Sequence, residues 1–316
     1  MPGALLVRRE VELMAADLAA WTQEVDGDVI GYTFSNGLSV QAEVGEKDDR
    51  LRILPLTRLQ RAVLNYLMND PSRARGKRVF EPFAGSGAFG FMALRLGAEH
   101  VDLLDVNPRA EQFHRRTASA NGFPEHRVRS TVADIREFQP DEPYDLVLAN
   151  PPFVPTPDCI EGTLNSNGGP EGNELLAALV ERLDDFVKPD GEALVILYQL
   201  VQDGLPLAAR VFGPQLAGRR TEFTPLQEVP VPLERFCAAC EIQHPAEAAG
   251  IRQWRSDLER QYGNGLTLSH YVMHIGPRSD APGVCEVTAN ASQKFGAECV
   301  LPEENADFLP VDGRRR

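Results

Sequence analysis

The stretch with the most chemistry in it runs Val79-Phe80-Glu81-Pro82-Phe83-Ala84-Gly85-Ser86-Gly87-Ala88-Phe89-Gly90. A short apolar run reads as a strand, breaks into glycines, and passes at once into a helical pattern. Glycine at such a turn lets the backbone approach a ligand that a Cβ would push away. The free N–H groups of the following helix then point at that ligand. Gly85-Ser86-Gly87-Ala88-Phe89-Gly90 satisfies G-x-G-x-x-G, and Asp105 follows at the distance of a ribose contact. On this motif alone a nicotinamide-dependent oxidoreductase is one reading. No G-x-x-x-x-G-K-[ST] loop occurs, which disfavours a P-loop ATPase. Cys237-Ala238-Ala239-Cys240 is a CxxC without a second one, near His244, with His270 and His274 on one face of a predicted strand. Buried free thiols are the reading adopted, with a zinc site as the alternative, so the site is expected to hold no metal.

The elements that must position these residues alternate from Arg78 onward. Strands are predicted at Arg78–Pro82, Val101–Leu104, Val128–Val132, Asp145–Leu148 and Glu192–Tyr198. Helices are predicted at Ala88–Leu96, from Pro108 to before Gly122, and at Asn173–Phe186, with Pro189-Asp190-Gly191 as a turn. The later strands are apolar runs rather than alternating ones, as expected where both faces of a sheet are covered. Such units predict a doubly wound, Rossmann-like α/β sheet with ligands at the carboxyl ends of its strands. Upstream, Glu10 to Trp21 has weak helical periodicity. Ile30 to Val44 around Asn36-Gly37 predicts a hairpin, and Leu51–Leu56 another strand. Thr57 is placed to cap a helix with Leu59, Val63, Leu64 and Leu67 on one face, ended by Asp70-Pro71. Downstream, Leu205–Phe212 and Ala246–Tyr262 read as helices, and Phe223–Val231 and His270–Ile275 as an antiparallel pair of strands. The expected division is an N-terminal substrate-side module or lid at 1–75, a catalytic domain at 76–280 and an irregular appendage at 281–316.

Two further residues sharpen the reading. Glu81 stands at the end of the first strand in Glu-Pro-Phe-Ala-Gly-Ser-Gly, and the fourth strand runs into Asn150-Pro151-Pro152-Phe153. Over residues 50–200 the chain resembles the class I S-adenosylmethionine-dependent methyltransferases, specifically the amino-methylating group with an Asn-Pro-Pro-aromatic motif. That group includes release-factor glutamine methyltransferases and adenine or guanine amino methyltransferases. The resemblance implies a seven-stranded sheet whose last strand is antiparallel, and S-adenosyl-L-methionine as cofactor. It implies that Glu81 faces the ammonium of the methionine moiety and that Gly85 and Gly87 let the loop pass beside the cofactor. Asp105 would accept from both ribose hydroxyls, and Asp134 from the adenine amino group. Each of these two acids reads otherwise as a helix cap. Asn150 would lie beside the cofactor and, with the Pro151 carbonyl, accept the two N–H bonds of a planar target amine. That fixes the nitrogen in line and stabilises developing positive charge. Phe153 would stack on the flat target. Gly168-Gly169-Pro170-Glu171-Gly172 is similar to a Gly-Gly-x-acid-Gly segment of the glutamine methyltransferases.

Bulk properties bear on partners. The chain has 316 residues, 43% hydrophobic, and a formal charge of −14, with a pI near 4.9. A strongly acidic protein repels phosphate backbones, so nucleic acid is not the expected partner. Arg115-Arg116, Arg219-Arg220 and the terminal Arg314-Arg315-Arg316 read as ordinary solvated arginines. A small-molecule or protein substrate is expected, bearing a carboxamide, guanidino or aryl amine. The strand-rich start and the length beyond the fifth strand depart from the release-factor enzymes. No signal peptide and no span-length apolar run is read, and five cysteines without a secretion signal suggest free thiols, so a cytoplasmic protein is expected. The rivals are a ribosomal-RNA or DNA amino methyltransferase, an NAD-dependent oxidoreductase, and a binding module that keeps the fold without catalysis.

Overall fold

The computed structural model describes residues 21–44, 51–280 and 285–301. The predicted helical pattern over Glu10–Trp21 lies outside these residues except for Trp21, which begins a strand.

A three-stranded antiparallel sheet comes first, with β1 (Trp21–Asp26), β2 (Val29–Phe34) and β3 (Ser39–Glu43) in sequence order. The predicted hairpin is there: Gly37 takes φ +78° and the Leu38 N–H donates to Asn36 Oδ1 at 3.1 Å. Ile30, Tyr32, Phe34, Val40 and Ala42 form its buried face. That face belongs to the same hydrophobic core as the helix Ala88–Arg95. The predicted strand at Leu51–Leu56 is absent. Ile53 N–H donates to the Glu43 carboxylate at 2.8 Å and Leu56 N–H to Tyr32 Oη at 3.1 Å, so side chains take the donors a ladder would need. The helix Arg58–Asn69 follows, with the Thr57 N–H bonded to Gln60 Oε1 at 2.6 Å.

The large sheet contains β4 (Arg78–Pro82), β5 (His100–Asp105), β6 (Val128–Val132), β7 (Tyr144–Ala149), β8 (Val187–Gln202), β9 (Leu205–Pro206), β10 (Arg219–Pro225), β11 (Val231–Pro232), β12 (Thr267–Arg278) and β13 (Cys285–Val287). Its order is β13-β10-β12-β8-β7-β4-β5-β6, with β9 on β8 and β11 on β12. The five strands β6-β5-β4-β7-β8 are mutually parallel, and β12 is antiparallel to both β8 and β10. This is the mixed α/β, Rossmann-like architecture expected, but with ten strands among the described residues in place of the seven implied, and with the antiparallel β12 set between β8 and β10 rather than coming last in the chain.

Three details differ from expectation for identifiable reasons. Pro189-Asp190-Gly191 does not end a helix before a new strand but bulges within β8, where the register jumps from Tyr144↔Val187 to Leu146↔Glu192. The predicted helix Asn173–Phe186 is two helices, Glu174–Val180 and Leu183–Phe186. At the break the Arg182 guanidinium donates to the carbonyls of Ile135 and Phe138, both at 2.9 Å. Of 281–316, read as an irregular appendage, the described part 285–301 carries a strand and a short helix. There β13 pairs parallel with β10, and Phe295, in the helix Ala291–Phe295, is buried in the main core. Asn65 Nδ2 donates to the Phe295 carbonyl at 2.6 Å.

Close packing sets the third glycine of the loop. A Cβ on Gly90 would lie 2.6 Å from Leu103 Cδ2, 2.6 Å from Val101 Cγ1 and 3.0 Å from Glu81 Oε2. The helix Ala88–Arg95 therefore rides directly on β5. Gly90→Ala should cost about 1–3 kcal/mol of stability by overpacking, despite alanine's better helix propensity. Urea unfolding checks this, and a gain in stability would contradict the packing.

Candidate functional site

At the carboxyl ends of β4, β5, β6 and β7 lies a cleft of about 590 Å³. Glu81, Gly85, Asp105, Asp134 and Asn150 all line it, so the fold gathers five of the sequence-singled residues at one place.

The loop itself is tied down from both sides. Ala84 N–H extends the β4–β5 ladder by donating to the Leu104 carbonyl at 2.9 Å. Gly85 N–H donates to Asp105 Oδ2 at 2.7 Å, and Asn107 N–H to Asp105 Oδ1 at 2.8 Å. Burial lifts the Asp105 carboxyl above its usual value, and these backbone donors pull it back. An ionised carboxylate has about four lone-pair directions; Gly85, Asn107 and also Val106 engage it through backbone N–H groups, which leaves acceptor capacity for a ligand in the cleft it lines. Gly85 (φ +51°) has nothing within 4 Å of the place a Cβ would take. It borders open space, as a backbone that must lie against a ligand would. Gly87 (φ +74°) is different: a Cβ there would lie 2.9 Å from the Phe91 ring, so it serves packing.

His114, which sequence reading did not single out, holds the loop from below. It is buried, with Nδ1 2.7 Å from Ser130 Oγ and Nε2 3.0 Å from the Gly85 carbonyl. Burial pushes its pKa down to about 4, so at neutral pH the ring is neutral. Nε2–H then donates to Gly85 and Nδ1 accepts from the serine. A histidine on an amphipathic helix gives no sequence signal for this task.

Glu81 is buried deeper than its expected role requires, at 3% exposure. Its Oε2 accepts from Gly90 N–H at 2.7 Å and Oε1 from Phe89 N–H at 3.3 Å. It thus caps the helix that Gly87 opens without a side-chain acceptor. Burial, with Asp105 adding to it, raises its pKa from 4.5 to about 8, against the pull of the two backbone donors. No helix follows Asp134 between β6 and β7 for it to cap; its carboxylate closes a turn instead. Its Oδ1 accepts from Arg136 N–H at 2.8 Å and Oδ2 pairs with the Arg136 guanidinium at 3.3 Å.

After β7 the residues separate. Asn150 faces the cleft, half-buried, and its side chain makes no hydrogen bond among the described residues. Pro152 lines the cleft too, whereas Pro151 is buried and Phe153 is turned into the core. The Phe153 ring packs edge-on against His270 at 6.1 Å, so in this structure it has no face free for a flat target. The Gly-Gly-x-acid-Gly segment explains why. A Cβ on Gly168 would come within 2.9 Å of Phe153 Cα, and one on Gly172 (φ +77°) within 2.5 Å of its carbonyl oxygen. Val154 N–H donates to Ser166 O at 2.8 Å and Gly168 N–H to Val154 O at 3.0 Å, stitching the loops together. Glu171 turns away to hydrogen-bond Tyr262 Oη.

Other lining residues carried no motif. Leu51–Leu56 forms one wall, and Asn165 Nδ2 donates across to the Arg52 carbonyl at 3.1 Å. Val106 and Ile135 follow Asp105 and Asp134 and present apolar surface to the same space. Their signal was available: an apolar residue next to each strand-end acid. Cys237 and Cys240 lie buried on the helix Leu233–Gln243, where burial raises both thiols. Among the described residues no group of three or more His, Cys, Asp or Glu could hold a metal. No described helix is long and apolar enough to cross a membrane.

Part of the chain is similar to known proteins. Residues 55–166 match the family model described as conserved hypothetical protein 95. The chain is 26% identical over 134 residues to a Methanocaldococcus jannaschii protein provisionally named a protein N5-glutamine methyltransferase, covering 41% of this chain and 66% of that one. It is 26% identical over 148 residues to the Vibrio cholerae tRNA1(Val) (adenine(37)-N6)-methyltransferase, covering 46% and 61%. It is 27% identical over 124 residues to the ribosomal protein uL3 glutamine methyltransferase of Bradyrhizobium diazoefficiens, covering 36% and 39%. The chain thus spans two thirds or less of these relatives. All three names are those of nitrogen methyltransferases, with protein and RNA acceptors both represented, so they lend no support to the charge-based expectation against nucleic acid.

Proposed function

We propose that this protein is a class I S-adenosylmethionine-dependent N-methyltransferase. The observation that carries the reading is the convergence of the Gly85 loop, Asp105 and an unbonded Asn150 side chain on one cleft at the carboxyl ends of parallel strands. The residues fit the cofactor: Asp105 lines the cleft with acceptor capacity for a ribose diol, Gly85 borders open space, and Val106 and Ile135 offer apolar surface for a purine. S-adenosylmethionine supplies the methyl group when bound. The chain's own residues do the rest. Asp105 orients the sugar, Asn150 accepts N–H bonds from the target amine, and the buried Glu81 stands where a ligand cation would favour its ionised form. The acceptor we propose is a planar amino group of a small molecule or a protein.

The test is thermal unfolding with S-adenosylhomocysteine against NADH. A ligand that binds only the native state stabilises by mass action, about 2.7 kcal/mol at a hundredfold excess over Kd. A shift with the adenosyl thioether and none with NADH is expected; the reverse would establish the oxidoreductase.

Glu81 gives a pH signature. The native carboxyl holds its proton up to about pH 8, and binding of a cationic ligand beside it requires the ionised form. Affinity for S-adenosylmethionine should therefore fall by up to about tenfold per pH unit below 8, since one pKa unit is about 1.36 kcal/mol. Above pH 8 it should level off. The free protein shows the opposite trend from this group. The unfolded chain gives up the Glu81 proton near 4.5, so this contribution to stability is fully present below 4.5 and is lost as pH rises toward 8. Calorimetric titration across this range, with Glu81→Gln as the flat reference, would refute the assignment if wild type and variant ran parallel.

A further inference from the structure

Glu174 lines the cleft from the first turn of the helix Glu174–Val180. Its backbone N–H donates to the Gly168 carbonyl at 2.9 Å, and Gly168 N–H in turn donates to Val154 O at 3.0 Å. That anchors its Cα to the loop that carries Asn150. Gly169 fixes where the side chain goes. At φ +79°, a Cβ on Gly169 would lie 2.4 Å from Glu174 Cγ and 2.5 Å from Cδ. The missing methyl is the space in which the glutamate lies.

No hydrogen bond or ion pair engages the Glu174 carboxylate among the described residues, although two arginines line the same cleft. Arg136 is committed to Asp134 at 3.3 Å, and Arg52 is itself partnered. The cleft therefore offers two uncommitted acceptors on one loop assembly, the Asn150 carboxamide oxygen and the Glu174 carboxylate. Its walls on this side are apolar and open to solvent. Leu54 is 41% exposed and Leu164 40% exposed, on the two segments that the Asn165–Arg52 bond brings together.

We propose that Glu174 selects the substrate, and that the target nitrogen belongs to a planar amidinium or guanidinium group; this rests on the methyltransferase reading above. A primary carboxamide has one nitrogen and a carbonyl oxygen, which an ionised acceptor-only carboxylate repels. An amidinium or guanidinium has a second nitrogen and a positive charge. One nitrogen meets Asn150, the other meets Glu174 in a charge-assisted bond, and the flat faces lie against Leu54 and Leu164; for methyl transfer the cation would give up one N–H proton to the Glu174 carboxylate, so that the methylated product leaves as a monocation. A phosphate-bearing acceptor finds no uncommitted arginine on this rim.

Benzamidine and benzamide test this because they share shape and differ in charge and in the carbonyl. Binding of each is measured by calorimetry to the full chain saturated with S-adenosylhomocysteine, which occupies the Asp105 side. Benzamidine should bind at least about tenfold more tightly, the range of one hydrogen bond to a charged group. Glu174→Gln, isosteric and neutral, should abolish that preference while leaving affinity for S-adenosylhomocysteine unchanged. Equal binding of the two probes, no binding of benzamidine, or a preference that survives in Glu174→Gln would each overturn the inference. Failure of S-adenosylhomocysteine itself to bind is a separate result, which would overturn the methyltransferase reading beneath it.

Discussion

Asp105→Ala should lose nearly all affinity for S-adenosylhomocysteine. Two effects add. The carboxylate's remaining acceptor capacity is the proposed partner of a ribose diol, and hydrogen bonds to a charged group contribute about 1.5–3 kcal/mol each. Two of them together amount to roughly a hundredfold to ten-thousandfold in Kd. The same carboxylate also holds Gly85 N–H at 2.7 Å and Asn107 N–H at 2.8 Å. Without it the glycine loop keeps the Ala84 N–H bond to the Leu104 carbonyl at 2.9 Å and the His114 bond to the Gly85 carbonyl at 3.0 Å. Asp105→Asn should rescue little, because one of its termini becomes a donor facing a backbone N–H. Ser86→Ala should bind almost as well as wild type, since the loop contributes chiefly through its backbone. Calorimetry on the three variants decides the matter: unchanged affinity in Asp105→Ala removes the ribose assignment and leaves the acid as a loop brace.

The residues behind this prediction were legible in the sequence because the physics that places them is local. A strand buried on both faces must be an apolar run, and a glycine loop between strand and helix has few alternatives. An acid at the end of the next strand falls beside that loop in any doubly wound sheet. What was not legible depended on partners distant in sequence. Leu51–Leu56 has the composition of a strand, yet Glu43 and Tyr32 side chains capture its donors. Glu81 looked like a ligand group, and only the αL conformation of Gly87 shows that the helix needs it as a cap. Phe153 looked like a stacking platform until Gly168 and Gly172, more than a dozen residues on, opened the room that draws its backbone inward. The strand at Cys285–Val287 is too short for any periodicity, and only the free edge of β10 makes it one.

Asn150→Ala should keep cofactor affinity and lose most methyl transfer. The two functions separate because the loop and Asp105 come from β4 and β5, while Asn150 follows β7. The Asn150 side chain has no protein partner among the described residues, so removing it breaks no internal bond, and folding should be intact. What is lost is an acceptor already in position when positive charge develops on the target nitrogen. By analogy with deletion of one oxyanion-hole donor, that costs about 2.7–4 kcal/mol, a hundredfold to a thousandfold in rate. The loss should fall on kcat more than on KM, since an interaction that strengthens in the transition state lowers kcat and kcat/KM together. Asn150→Asp distinguishes acceptor from shape. It keeps oxygens at the same reach and adds charge, so for a cationic target held by Glu174 it should retain more activity than alanine. Single-turnover rates at saturating cofactor separate the outcomes. A wild-type rate in Asn150→Ala would leave the fold and the cofactor site standing but move the chemistry away from an amine, to an oxygen or a carbon nucleophile. The proline turn after β7 would then serve only to pack Phe153 against His270.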